Sequence, residues 1–124
     1  LQTCRYIVIL CPLTAETKHL IKSNELNLMR KDSFLINIAR GPIVKESDLI
    51  EALEKKTIAG CALDVYEFEP HYDLRLSKMD NVVLAPHAGS ASVRARTGMV
   101  ELAAKNIESF FLRNEVLNPV NNIK

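Results

Sequence analysis

A chain of 124 residues suffices for one folded domain with a core and is too short for two lobes. Its 16 basic and 15 acidic side chains nearly cancel and no basic run stands out, which argues against nucleic acid as a partner. The longest apolar stretches fall far short of a bilayer span and no charged-then-apolar leader is visible, so no membrane partner is expected. The natural expectation is a soluble, cytoplasmic protein, unless a preceding segment carries a signal.

The first predicted element is the run Tyr6-Ile7-Val8-Ile9-Leu10, continuously apolar and β-branched, the pattern of a strand buried on both faces of a parallel sheet. A loop from Cys11 to Thr17 and a short helix lead to three further predicted strands, at 34–38, 59–63 and 82–85. A helix is predicted over 46–55, where Leu49, Ile50 and Leu53 form an apolar stripe. Strand, helix, strand at this spacing implies right-handed crossovers and a parallel α/β sheet. The connection over 64–82 contains Pro70, His71 and Tyr72 and is too long to be idle in a compact domain. A final helix over 92–113 places Val100, Ala103, Ala104, Ile107 and Phe111 at helical spacing, which assigns them to the core. Cys4, Cys11 and Cys61 form no C-x-x-C pair and lie in or beside apolar runs, so they are expected as free thiols that behave as small buried hydrophobes.

Arg40, Glu69 and His87 each lie just beyond one of these apolar runs. In open α/β sheets ligands bind beyond the carboxyl ends of the strands. A cation, a carboxylate and an imidazole there are the parts needed to bind an anionic substrate, tune a histidine and move a proton. Gly41 and Pro42 break the chain directly after Arg40, and Pro86 fixes the backbone directly before His87. His19 and His71 have no comparable setting and are expected to be exposed, and Glu67 is expected to be a solvated loop acid.

Four segments, in this order, carry a family resemblance: Cys11 to Thr17, Asn37-Ile38-Ala39-Arg40-Gly41-Pro42, Asp64-Val65-Tyr66-Glu67-Phe68-Glu69-Pro70, and Pro86-His87-Ala88-Gly89-Ser90. Together they resemble the D-isomer-specific 2-hydroxyacid dehydrogenases over nearly the whole chain, with Arg5 departing from a position that is often acidic in that family. The resemblance implies the second half of a Rossmann-like NAD(P)-binding domain over residues 1–117, with 118–124 returning toward a substrate domain. The glycine-rich phosphate loop of such domains is not visible, because glycines at 41, 60, 89 and 98 cannot compose it. The chain is accordingly expected to begin partway through a domain and to be inactive by itself.

The resemblance also implies roles. His87 is expected to be the general acid and base in reducing a 2-keto acid to the D-2-hydroxy acid, Glu69 its partner, and Arg40 the group that holds the substrate carboxylate. Glutamate at 69, where formate dehydrogenases carry glutamine, favours keto-acid chemistry. Asp64 is expected to accept from the nicotinamide carboxamide, with a turn-capping aspartate as the alternative. Cys11, Pro12, Thr17, Ile38, Ala39, Arg40, His87, Gly89 and Ser90 are the other implied contacts to NAD or NADP, and no metal site is implied. The stretch 86–99 resembles glyoxylate and hydroxypyruvate reductases more than phosphoglycerate or lactate dehydrogenases. A homodimer of the intact protein is the implied assembly. A dinucleotide-sensing corepressor of the same superfamily, binding a protein partner, is the alternative function.

Overall fold

A computed structural model describes residues 1–121. Residues 122–124, part of the expected return segment, lie outside the described residues. By internal contacts the chain divides into two compact units, Leu1–Ala88 and a second from Gly89 onward.

The first unit is a four-stranded parallel sheet in the order β1-β2-β3-β4, built from β1 (Tyr6–Ile9), β2 (Phe34–Asn37), β3 (Gly60–Leu63) and β4 (Val82–Leu84). Helix α1 (Ser23–Asn27) joins β1 to β2, and α2 (Glu46–Glu54) joins β2 to β3. The expected elements therefore form, each within about a residue of its expected bounds. On α2 the stripe Leu49, Ile50 and Leu53 is buried, and its first turn carries Glu46 and Asp48, where carboxylates complement the helix dipole. Asp48 accepts the Ser23 N–H at 2.9 Å, which ties α2 to the start of α1.

Strand alternation sends Ile9, Leu35, Cys61 and Leu63 into one core with Leu26, Ile43, Leu49, Ile50, Ile58 and Leu76. The opposite sheet face is open. Tyr6 is 59% exposed and Val83 67% exposed, so the expectation of strands buried on both faces is corrected. Continuous apolarity marks residues suited to both faces of a sheet, but both crossover helices of this chain serve only one core. On the open face the Tyr6 and Phe34 rings stack with centroids 5.7 Å apart.

All three cysteines are free. Only Cys61 is buried, and burial pushes its thiol up to about 12, which leaves it a neutral hydrophobe; Cys4, by contrast with its expectation, is exposed.

The second unit holds α3 (Val93–Arg113). Ser92 caps it by accepting the Ala95 N–H at 3.2 Å, and Asn114 ends it in the left-handed conformation with φ 51°. The assignment of Val100, Ala103, Ala104, Ile107 and Phe111 to the core is corrected, since all five are exposed, Ile107 at 61% and Phe111 at 78%. Helical spacing identifies a face suited to burial and says nothing about whether this chain supplies the surface that covers it.

Candidate active site

Because the strands are parallel, their carboxyl ends share one edge, and the residues just beyond them are brought to a common rim. Asn37, the last residue of β2, is buried and shapes the first part of it. Its Oδ1 accepts the Ala39 N–H at 3.1 Å and its Nδ2 donates to the Arg40 carbonyl at 3.0 Å, so the turn over 38–40 is pinned from within. Arg40 then precedes a 3-10 turn, Gly41–Ile43, with Pro42 in its first positions. Its Nη1 donates to the Ala39 carbonyl at 2.7 Å, and its guanidinium makes no ion pair within 4.0 Å among the described residues. The side chain is exposed on the rim, with a donor fork suited to a carboxylate.

His87 lies beyond the end of β4 with φ 53°, a left-handed conformation that costs a non-glycine residue energy and persists only where neighbours hold it. Three hydrogen bonds do so. The Tyr66 hydroxyl donates to the Ala85 carbonyl at 2.7 Å, the Ala88 N–H donates to Asp64 Oδ1 at 2.7 Å, and His87 Nδ1 pairs with Glu69 Oε2 at 2.8 Å. Chain on both sides of the imidazole is thus fastened to the connection that follows β3. Burial, foremost, pushes the Tyr66 phenol up, which keeps it a donor.

Glu69 is held at both oxygens, because Oε1 accepts the Tyr66 N–H at 3.0 Å while Oε2 faces His87. Burial is the largest single influence on its carboxyl and would raise it. The His87 and Tyr66 hydrogen bonds, with the charges of His87 and Arg40, together outweigh burial and hold it below its ordinary value of 4.5. A carboxyl lowered on folding contributes stability that is present above its unfolded value and lost as pH falls through the folded one. Glu69→Gln is therefore expected to be less stable than the parent chain at pH 6, with the two converging below pH 4.5 as the parent's carboxyl protonates. Urea unfolding at pH 6 and pH 3 measures it, and an unchanged gap would contradict the pairing.

Of the expected site residues, Glu69 and His87 are in direct contact. Arg40 acts on Glu69 through its charge. Asp64 holds the backbone next to His87, so a capping role is visible at that position. The Thr17 hydroxyl turns inward on its own loop, donating to the Pro12 carbonyl at 2.7 Å and accepting the Thr14 N–H at 2.7 Å. Cys11 and Pro12 follow β1, and Ile38 and Ala39 occupy the pinned turn after β2. Gly89 and Ser90 belong to the second unit.

Two expectations are corrected. Glu67 is no solvated loop acid: its side chain is 11% exposed and pairs with His19 Nε2 at 2.7 Å. His19 is accordingly half-buried, while His71 is exposed as expected. Tyr66 and Asn37 were not legible as site-forming residues. A polar residue at an inward position of an apolar strand is the signal Asn37 offered, and Tyr66 offered only its place in an overlong connection.

Residues 1–89 match the family model described as D-isomer specific 2-hydroxyacid dehydrogenase, NAD binding domain. The chain belongs to the D-isomer specific 2-hydroxyacid dehydrogenase family. Among relatives of this chain, the glyoxylate reductase of Pyrococcus horikoshii is 54% identical over 105 residues, covering 85% of this chain and 31% of that protein. A crystal structure of an NADPH-dependent glyoxylate/hydroxypyruvate reductase from Sinorhizobium meliloti, in complex with NADP and malonate, is similar with a TM-score of 0.90 and 37% identity, covering 96% of this chain and 37% of that one. A D-lactate dehydrogenase from Sporolactobacillus sp. is similar with a TM-score of 0.88 and 31% identity, covering 99% of this chain and 41% of that one. The chain thus spans about a third of the length of the curated relatives it matches, 31% of the first.

Proposed function

We propose that the whole protein to which this chain belongs reduces a small 2-keto acid, of the glyoxylate or hydroxypyruvate class, to the D-2-hydroxy acid with NADH or NADPH. The observation that carries this reading is the Glu69–His87 pair, 2.8 Å apart at the carboxyl edge of a parallel sheet. A histidine paired through Nδ1 presents Nε2 as its other proton-carrying atom.

The donor set at this edge fits the nicotinamide end of a dinucleotide: an apolar exposed Ile38, the pinned turn over 38–40, Pro12, and the Asp64 carboxylate. When bound, that cofactor supplies or accepts hydride at the substrate carbon. In the reducing direction, His87 gives its Nε2 proton to the keto oxygen as that oxygen takes up the carbonyl electron pair. In oxidation His87 removes the hydroxyl proton. Arg40 holds the substrate carboxylate through its donor fork and orients the carbonyl toward His87. Glu69 keeps the ring in the tautomer and orientation that direct Nε2 outward. Asp64, Cys11, Pro12, Thr17, Ile38 and Ala39 form the nicotinamide and ribose contacts in this reading. The whole protein works as a homodimer in the cytoplasm, and the 124 residues alone are inactive.

The test is turnover by the whole protein of glyoxylate, hydroxypyruvate, pyruvate and phenylglyoxylate with each nucleotide, followed by loss of the reduced nicotinamide absorbance. Glyoxylate and hydroxypyruvate are expected to be the better substrates. A folded protein that oxidises neither nucleotide with any of the four acids overturns the reading.

A further inference from the structure

Glu67 sits two residues before Glu69 and forms a second histidine–carboxylate pair, separate from the first. Its Oε1 is 2.7 Å from His19 Nε2, while its Oε2 accepts the Glu46 N–H at 2.8 Å, the first amide of α2. Glu46 answers in kind. Its carboxylate, itself buried, accepts the Glu67 N–H at 3.2 Å on Oε2 and the Asp73 N–H at 3.0 Å on Oε1. Two glutamates therefore exchange backbone amides across the gap between α2 and the connection that carries Glu69. His19 is clamped from its other side as well, since its N–H donates to the Pro42 carbonyl at 2.8 Å and its backbone is left-handed with φ 53°. The charged groups facing this cluster are His19, Glu46 and Lys45, the last raised by Asp48 first and by Glu67 to a lesser degree.

From this geometry, and resting on the proposed acid–base role of His87, we infer that Glu67 is a positioning residue, which with His19 and Glu46 fixes the connection so that Glu69 meets His87. Buried carboxylates that satisfy backbone donors on two elements hold those elements in one arrangement, and losing such an acceptor leaves buried amides without partners. Tyr66 and Glu69 lie on either side of Glu67 and Phe68, so slack in this short stretch reaches two of the three contacts that fasten the His87 turn, those to Ala85 and to His87 itself.

The test is the hydrogen-bonded Nδ1–H signal of the His87 ring at one fixed pH, followed by 15N-edited NMR of the whole protein, in Glu67→Ala, Glu67→Gln and Glu69→Gln, with far-UV circular dichroism confirming folding. Glu69→Gln is expected to shift that signal away from its parental position, because the carboxylate acceptor is lost. Glu67→Ala is expected to shift it the same way, by less. Glu67→Gln, which keeps an acceptor for the Glu46 N–H, is expected to restore most of the parental position. A folded Glu67→Ala with the parental signal, while Glu69→Gln moves it, overturns the positioning role and leaves the Glu69–His87 reading standing. A Gln variant shifted as far as Ala overturns it too, because charge and not bracing then explains the effect. Should Glu67→Ala fail to fold, His19→Ala replaces it, with the same expected direction and the same overturning result. A silent Glu69→Gln sinks both readings.

Discussion

Replacing His87 by asparagine in the whole protein is expected to lower kcat/KM for glyoxylate by roughly 10²- to 10⁴-fold, the scale of general acid–base catalysis. That corresponds to about 3 to 5 kcal/mol of barrier. Asparagine is chosen because it keeps a polar group of similar reach and is among the residues that tolerate the left-handed backbone found at φ 53°. The loss then reports the missing proton carrier and not a collapsed turn. KM is expected to change far less than kcat, since carboxylate binding is assigned to Arg40 and an interaction made only in the transition state lowers kcat and kcat/KM together. Steady-state kinetics with either nucleotide measures both constants. Near-parental turnover in a folded variant would remove His87 from the chemistry.

Gly41→Ala is expected to destabilise the first unit by about 3 kcal/mol, the upper end for forcing an atom into filled space. A Cβ at Gly41 would stand 1.8 Å from the Tyr66 carbonyl oxygen and 2.6 Å from the Glu67 nitrogen, and both are backbone atoms that no rotamer change can move. The 3-10 turn after Arg40 would have to part from the connection after β3. That parting displaces Tyr66, which holds the Ala85 carbonyl, and Glu67, which holds α2 and His19. A fall in thermal midpoint on the order of 15 °C is the expected readout. Gly98→Ala is the contrast, because nothing lies within 4 Å of an added Cβ in the middle of α3, and it is expected to be neutral or slightly stabilising. A Gly41→Ala midpoint within about 2 °C of the parent would show that the turn and the connection are not packed as described.

Sequence by itself determined the order and kind of the elements, because a β-branched apolar run such as Tyr6 to Ile9 and a 3.6-residue stripe such as Leu49, Ile50 and Leu53 express local periodicity that neighbours along the chain already contain. It also marked Arg40, Glu69 and His87, since each lies beyond a strand and beside a glycine or proline that constrains the chain there. Tertiary structure alone decided which of these groups touch. That His87 meets Glu69, that Glu67 takes His19 and not solvent, and that Gly41 must lack a side chain to let the Tyr66 carbonyl pass are long-range facts, separated by 18, 48 and 25 positions. Burial was decided the same way: the residues that make an apolar face on β1 or α3 are written in the chain, but whether a second surface covers Tyr6 or Phe111 depends on what packs there, and periodicity carries no record of a partner.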